Sequence, residues 1–116
     1  MGKTLIAIAA AAALLPAGAR AGAYEDGAKL DIAYLATDIL AASLCKNIQF
    51  GDEAQVAKHI FAASLILGNK GVTAAYLAAT KKNIDQMETV GREVWCADAI
   101  AAAKRRESDL LTEVPQ

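Results

Sequence analysis

The two cysteines of this chain constrain its fold more than any other feature. Cys45 and Cys96 are the only cysteines among 116 residues, and each lies in an apolar pattern typical of a helix. In an oxidising compartment two such residues are expected to pair, whereas redox catalysis favours Cys-x-x-Cys and a zinc site needs more ligands. Pairing closes a loop of 51 residues, for which the chain-entropy model gives about 4 kcal/mol. We therefore predict a structural disulfide between Cys45 and Cys96.

The N-terminal segment is typical of a cleaved secretory signal peptide. Lys3 provides a positive start, residues 5–15 form an uncharged apolar run, and Pro16 breaks it. Small residues at positions 19 and 21 predict cleavage after residue 21, with cleavage after residue 23 as an alternative. The apolar run is shorter than the roughly 20 residues of a membrane span, and no cysteine follows it to carry a lipid. We predict a periplasmic or secreted protein, with residues 1–21 as the signal peptide and residues 24–116 as a single helical domain.

The charge balance of the predicted mature chain argues against some classes of partner. Removal of residues 1–21 from the 116 leaves 95, with ten of the 12 basic side chains and all 13 acidic ones, for a net charge of −3. This length allows one small domain. The acidic balance argues against a nucleic-acid partner, because phosphates require a basic face. No long apolar run remains in the predicted mature chain, so we expect no stable membrane insertion after cleavage.

Apolar periodicity predicts an all-α fold, a small four-helix bundle or orthogonal array stapled by one disulfide. Alternation of apolar and polar residues never persists over a strand length, so no strand is expected. Asp52 fits an N-cap for the second helix, and the glycines of residues 68–71 are expected to end it in a helix–helix turn. A second cap signal at residues 83–86 opens a long final helix. The helices are expected at residues 28–46, 52–67, 72–82 and 83–111.

The first predicted helix has an apolar and a polar side. Ile32 and Leu35 share the apolar face, which we expect to pack in the core, while Asp31 and Asp38 are placed on the opposite, outer side. Cys45 lies in the last turn of this helix. The predicted disulfide therefore joins the first helix to the flank of the last one.

The residues that could carry chemistry predict no enzyme. His59 is the only histidine, and a boundary position between the polar and apolar sides of the second helix is its expected role. The residue counts and spacings form no catalytic triad, no His-x-x-x-His zinc site and no Cys-x-x-Cys-His haem motif. We therefore expect no catalytic residue, no metal site and no cofactor. The basic run of residues 104–106 is expected to be a solvated turn, offset by Glu107 and Asp109.

Two aromatic residues are candidates for a partner surface. Phe61 widens the apolar stripe of the second helix. Trp95, beside Cys96, either anchors the core or marks an exposed partner surface. The expected partner is another protein, bound as a specific partner or as a client.

The predicted features of the chain form an outline that is shared with a known protein family. The shared features are a signal peptide, a helical mature domain and one cysteine pair about 50 residues apart. Cys45 is followed by an apolar connector with Phe50, the second helix ends in residues 67–71, and Cys96 lies in the final helix. Over residues 44–110 this outline resembles the HdeA/HdeB-type periplasmic acid-stress chaperones.

That resemblance implies a chaperone mechanism driven by acid. Below about pH 4 the 13 carboxylates lose their charge, and the ten Lys and Arg side chains then repel one another. The bundle loosens while the disulfide keeps it compact. Faces carrying Ile60, Phe61, Val94 and Trp95 are then expected to bind unfolding clients.

Two other functions remain open at this point. The same outline resembles small disulfide-bonded immunity proteins that block secreted cell-wall amidases, which implies a rigid fold at neutral pH. In that case residues 68–71 or an exposed aromatic side chain would enter the active site of one specific partner. The third class is an envelope interaction protein with neither activity.

Overall fold

The computed structural model describes residues 17–114, and these residues form three helices and one small antiparallel sheet. Residues 1–16, which hold most of the predicted signal peptide, lie outside the described residues. In chain order the elements are α1 (Ala17–Leu44), β1 (Ile48–Phe50), α2 (Glu53–Val90), α3 (Arg92–Arg105) and β2 (Leu111–Glu113).

The prediction of a mainly helical, disulfide-bonded fold is confirmed, but the prediction of four helices is wrong. The expected second and third helices both belong to α2, which continues past the expected boundary at residue 83 as far as Val90. Asn83 does not act as a cap, because it is buried and its Nδ2 donates to Thr37 Oγ1 of α1 at 2.9 Å. The break occurs at Gly91 instead, so the last helix is shorter than predicted.

The sequence predicted the start of α2 correctly but not the start of α1. α1 begins at Ala17 rather than near residue 28, and it includes residues 24–27. Alanine has the highest helix propensity, and the alanine-rich lead continues the helix across both predicted cleavage sites. The predicted N-cap of α2 is confirmed, because Asp52 Oδ1 accepts a hydrogen bond from Ala54 N at 2.9 Å.

Two glycines interrupt the helical part of the chain. Gly68, inside α2, has φ 70° and ψ 169°, and Gly91, between α2 and α3, has φ 90° and ψ 153°. These angles lie in a region that is essentially restricted to glycine, because a Cβ would clash with the backbone. Gly68 therefore produces the turn expected at residues 68–71, although α2 resumes directly after it.

The part of α2 before Gly68 runs antiparallel to α1. His59 bonds to Asp31, and Ala63, four residues later, packs in one cluster with Ala28. Contacts that advance along α2 thus move back along α1. This pairing buries the apolar stripe of α1 against the first half of α2.

The part of α2 after Gly68 runs parallel to α1. Asn83 bonds to Thr37, and Arg92, directly after the end of α2, donates from Nε to the carbonyl oxygen of Leu44 at 2.9 Å. Contacts now advance in the same direction along both helices. The chain therefore reverses at Gly68, and the two halves of α2 form a helical hairpin beside α1.

A two-stranded sheet joins the C-terminal end of the chain to the segment after α1. β1 and β2 pair antiparallel, with Ile48 opposite Glu113 and Phe50 opposite Leu111. The prediction of no strand is wrong, because strands of three residues are too short for alternation to be recognised. Gly51 N also donates to the carbonyl oxygen of Leu110 at 2.8 Å, so the residue before β2 is held as well.

The buried residues form two hydrophobic clusters along α1. The first lies between α1, the hairpin and the C-terminal segment, and the second lies between the end of α1 and α3. The sequence predicted the burial of Ile32 and Leu35 correctly. The buried members of the first cluster are Ala28, Ile32, Leu35, Ala63 and Leu110, and those of the second are Ala41, Cys45, Trp95 and Ala99.

Candidate functional site

His59 lies at the centre of a polar cluster where α1, α2 and the C-terminal segment meet. Its Nδ1 is 3.0 Å from Asp31 Oδ2, and its Nε2 is 3.1 Å from Asp109 Oδ1. An imidazolium ring can donate to both carboxylates, whereas a neutral ring donates to one. Both ring nitrogens contact carboxylates, so neither is hydrogen-bonded to a nucleophilic side chain as a catalytic triad requires. The boundary position predicted for His59 agrees with its partly buried side chain.

A second buried carboxylate, Asp38, forms the other half of this cluster. Its Oδ1 accepts a hydrogen bond from Arg106 Nη2 at 2.9 Å, and its Oδ2 accepts one from Ser108 Oγ at 2.7 Å. The Arg106 guanidinium also lies 4.2 Å from the ring centroid of Tyr34, within the range of a cation–π interaction. Such charge-assisted bonds are among the stronger hydrogen bonds in proteins.

These contacts form what we term the C-terminal clamp, which comprises Asp31, Asp38, His59, Arg106, Ser108 and Asp109. The clamp attaches the end of α3 and the residues after it to α1 and α2. Leu110, the next residue along the chain, is 1 % exposed and completes the first hydrophobic cluster. The clamp therefore positions an apolar side chain that closes the core.

The charged form of Asp31 is energetically unfavourable in this clamp. The residue is 3 % exposed, and its Oδ1 has no hydrogen-bond partner among the described residues. Burial raises the pKa of the Asp31 carboxyl above its usual value, and the neighbouring His59 opposes that shift only in part. The fold thus holds Asp31 in a site that favours its neutral form.

The placement of Asp31 and Asp38 on the outer side of the first helix is wrong, because both are buried. Residues at spacing i, i+4 and i+7 share a helix face, so Asp31 and Asp38 lie on the same face as Leu35. That spacing was the available signal in the sequence. It was missed because the partners, among them Arg106, are far away in the chain.

The basic run of residues 104–106 is only partly the solvated turn that was expected. Arg106 enters the clamp, and Lys104 forms an exposed ion pair with Glu113 of β2. Hydrogen bonding and charge attraction from Lys104 lower the pKa of Glu113 below its usual value. Arg105, between them, is exposed.

The predicted disulfide is present and lies in the second hydrophobic cluster. Cys45 and Cys96 are bonded, with their Cα atoms 5.7 Å apart, and join the segment after α1 to α3. Trp95 packs in this cluster and is 4 % exposed. Of the two roles considered for Trp95, the structure therefore shows core packing and corrects its assignment to an exposed partner surface.

A cleft of about 850 Å³ opens between α1, the second half of α2 and α3. Trp95 and Ala99 form part of its apolar lining, and Thr37 and Asn83 contribute polar groups. The sequence did not predict this cleft, because it arises between segments that are distant along the chain. It is large enough for a small ligand or a side chain of a partner.

Phe61 is placed differently from Trp95. Its side chain is 65 % exposed on the first half of α2, and Leu65, one turn later, is 72 % exposed. Leu77, on the second half of α2, is 61 % exposed. Exposed apolar groups of this size on adjacent turns are typical of a contact surface, and the assignment of Phe61 to a partner surface stays a prediction.

Within residues 17–114, no group of three His, Cys, Asp or Glu side chains is arranged to hold a metal ion. The clamp carboxylates are engaged instead by His59, Arg106 and Ser108. Comparison with known protein families, with characterised proteins and with solved structures finds no match for this chain.

Proposed function

We propose that this is an exported protein of the periplasm or the exterior that acts by binding other proteins, in the manner of an acid-stress chaperone. The observation that supports this proposal is the C-terminal clamp, in which ionisable side chains hold Leu110 over the apolar core. The proposal assigns no catalytic step and no cofactor to the chain. Its partners are unfolding client proteins.

Acid removes the negative charges of the carboxylates on which the clamp depends. Well below pH 4 carboxyl groups are neutral by their reference pKa values. A neutral Asp38 no longer forms an ion pair with Arg106, and the ten Lys and Arg side chains of the mature chain then repel one another. If the C-terminal segment separates, Leu110 leaves Ile32 and Leu35, which are almost fully buried in the folded protein. Client proteins would bind to this uncovered part of α1.

The disulfide limits how far the chain opens in acid. Cys45 and Cys96 belong to the second cluster, whereas the clamp and Leu110 border the first. A disulfide does not titrate, so α1 and α3 stay joined when the clamp is released. A loosened but compact state with exposed apolar surface is the expected result.

The residues that the sequence predicts to bind clients do not by themselves explain binding that depends on acid. Ile60, Phe61 and Val94 are already exposed in the folded protein, and Trp95 is buried. Acid is therefore not needed to expose the first three residues. Any acid dependence of binding has to come from the face under Leu110.

Asp31 works against acid-driven opening. Because its pKa is raised in the fold, the folded chain holds a proton at Asp31 more readily than the unfolded chain does. Lowering the pH towards the raised pKa thus relieves the cost of this buried charge and favours the fold at this residue. The proposal therefore depends on the loss of the Asp38–Arg106 pair outweighing the effect of Asp31.

The test is light scattering of an acid-sensitive client at about pH 2.5 and at neutral pH, with and without the oxidised mature protein. We expect suppression of client aggregation in acid only. Arg106→Gln, which weakens the clamp, should extend suppression to a higher pH, whereas Arg105→Gln, at an exposed neighbouring position, should leave the pH profile unchanged. Absence of suppression in acid, or equal suppression at both pH values, contradicts the proposal.

A second candidate function, inhibition of a secreted cell-wall hydrolase, is favoured by the hairpin turn. Residues 68–70 are exposed, and no atom lies within 4 Å of a Cβ built on Gly68. Such a turn can enter a partner's active site. Tight binding and inhibition of a hydrolase encoded beside this chain, lost on Asn69→Ala or Lys70→Ala, would support this function. Failure of both tests leaves an envelope interaction protein without chaperone activity.

A further inference from the structure

The hairpin of α2 has a charge pattern unlike that of the rest of the chain. Residues 54–84 contain four lysines and no acidic residue, although the chain as a whole has 13 acidic residues and a net charge of −1. The lysines are Lys58, Lys70, Lys81 and Lys82. Residues 54–84 of the hairpin are thus a locally cationic part of an acidic protein, with Glu53, Asp85 and Glu88 at the ends of α2.

The same hairpin exposes large apolar side chains on both of its halves. Phe61 and Leu65 are exposed on the first half and Leu77 on the second, with Ile60 and Ile66 partly exposed beside them. By length and composition alone, α2 is the one helix in the described part of the chain that is apolar enough to cross a membrane. Only 6 % of that apolar stretch is buried within the protein. Water therefore contacts a surface that is unusually apolar for a soluble helix.

Cationic and apolar side chains share the same helix face on the first half of the hairpin. Lys58, Phe61 and Leu65 follow the spacing i, i+3 and i+7, which places them on one side of an α-helix. Within the described residues, Lys58 is not part of an ion pair. This face therefore presents an unpaired cation beside two exposed apolar groups.

The second half of the hairpin repeats this arrangement. Lys70, Leu77 and Lys81 follow the spacing i, i+7 and i+11, which also corresponds to one helix face. Lys70 has no ion-pair partner among the described residues, and Lys81 pairs only with the exposed Asp85, at 3.1 Å. Both halves thus combine apolar side chains with cations that remain accessible.

The charge pattern decides among the possible occupants of this surface. In a symmetric dimer a patch meets its own copy, so Lys58 and Lys70 would approach lysines with no carboxylate among residues 54–84 to pair with them. A membrane-spanning arrangement does not fit either, because the chain reverses at Gly68 and the polar Asn69 and Lys70 follow directly. An anionic membrane surface instead attracts lysines, and exposed Phe and Leu side chains beside them can enter the boundary between headgroups and acyl chains.

We propose that the α2 hairpin docks on the surface of a bilayer that contains anionic lipids. Phe61, Leu65 and Leu77 enter the boundary between headgroups and acyl chains, while Lys58 and Lys70 contact the lipid phosphates. The protein lies on the membrane and does not span it. None of these residues belongs to the C-terminal clamp, so this docking is independent of the acid-released binding proposed above.

The experiment is co-sedimentation of the oxidised mature protein with vesicles at neutral pH. One set of vesicles contains phosphatidylcholine alone, and the other contains one-third phosphatidylglycerol. We expect sedimentation with the anionic vesicles, weakened by high salt and lost in the double variant Phe61→Ser/Leu65→Ser. Lys58→Gln/Lys70→Gln should weaken binding by roughly thirtyfold, since each of the two lysines contributes about 1 kcal/mol near an anionic surface.

Matched controls separate this surface from a general effect of substitution. Val94→Ser removes an exposed apolar group on α3, and Lys46→Gln removes an exposed cation outside the hairpin. Neither should change sedimentation. The fluorescence of the buried Trp95 verifies that every variant is folded.

The position of the bound hairpin is tested with a fluorescent side chain. The emission added by Phe61→Trp should be quenched by brominated anionic lipid, and that added by Val94→Trp should not. Equal binding to neutral vesicles, or loss of binding in the Val94→Ser control, overturns the proposal. It is also overturned if the protein binds no vesicles and instead forms a dimer or an acidic-protein complex that Phe61→Ser/Leu65→Ser disrupts.

Discussion

The guanidinium of Arg106, just past the end of α3, binds the buried carboxylate of Asp38 in α1, with Nη2 2.9 Å from Oδ1. The two residues are 68 positions apart in the chain. Asp38 is almost fully buried, and it also accepts a hydrogen bond from Ser108 Oγ. This pair therefore anchors the C-terminal segment to the core.

Removal of Arg106 is expected to destabilise the fold more than removal of the charge on Asp38. Arg106→Gln leaves a buried carboxylate without its cation, so the free energy of unfolding should fall by about 3 kcal/mol. Asp38→Asn should cost less, because the arginine can turn towards solvent. Urea unfolding followed by Trp95 fluorescence measures both changes. Arg105→Gln is the control, with an expected change within about 0.5 kcal/mol; an equal effect of Arg105→Gln and Arg106→Gln would contradict the importance of this pair.

Asp31→Asn is expected to change stability in a pH-dependent way. Burial raises the pKa of Asp31, so the charged carboxylate costs stability at neutral pH, and this cost is relieved as the pH falls through the raised pKa. A neutral asparagine should therefore raise the free energy of unfolding at pH 7 by roughly 1 kcal/mol, a usual size for single substitutions. The gain should vanish at a pH where Asp31 is protonated. Urea unfolding at a series of pH values measures it; a variant less stable than wild type at pH 7 would show that the His59 contact outweighs burial.

Gly68→Ala is expected to destabilise the hairpin through its backbone. Gly68 has φ 70° and ψ 169°, which an alanine adopts only with strain of about 1–3 kcal/mol, although its Cβ would contact nothing. Gly51→Ala is the control, because a Cβ there meets ordinary contacts at 3.7 Å or more and the φ angle is not positive. Thermal unfolding by circular dichroism compares the two. Equal melting temperatures for both variants would mean that the turn relaxes without cost.

Loss of the disulfide is expected to lower stability without abolishing helix content. Cys45→Ser/Cys96→Ser removes a cross-link that closes 51 residues, for which the loop-entropy relation gives about 4 kcal/mol. Urea unfolding of the variant and of the wild-type protein under a reducing agent should agree. A discrepancy between the two would indicate that the serines, rather than the lost bond, cause the change.

The local features of the fold were predictable because their causes lie within a few residues. The helix periodicity around Ile32 and Leu35, the cap at Asp52 and the glycine at position 68 each depend on neighbours in sequence. The disulfide was predictable for a different reason, since only one pairing of two cysteines exists. By contrast, the boundary expected at Asn83 failed, because contact with Thr37 of α1 overrides the local cap signal.

The candidate site was much less predictable than the fold. Phe61 was recognised from its apolar neighbours, and its exposure follows from which side of α2 packs on α1. Trp95 was assigned to an exposed surface as one of two alternatives, and the approach of α3 to the end of α1 buries it instead. The clamp was missed, because the local sequence does not distinguish a buried carboxylate from a solvated one when its partners are distant in the chain.

The sequence by itself determined that this chain is mainly helical, that its two cysteines pair and that Gly68 interrupts the helical run, because propensity, residue count and backbone sterics act locally. Only the tertiary structure decided that Asp31 and Asp38 are buried, that His59 and Arg106 contact them, and that Leu110 closes the core. These contacts join residues that are distant in sequence. Their formation depends on the relative placement of α1, the hairpin and the C-terminal segment, which no local pattern specifies.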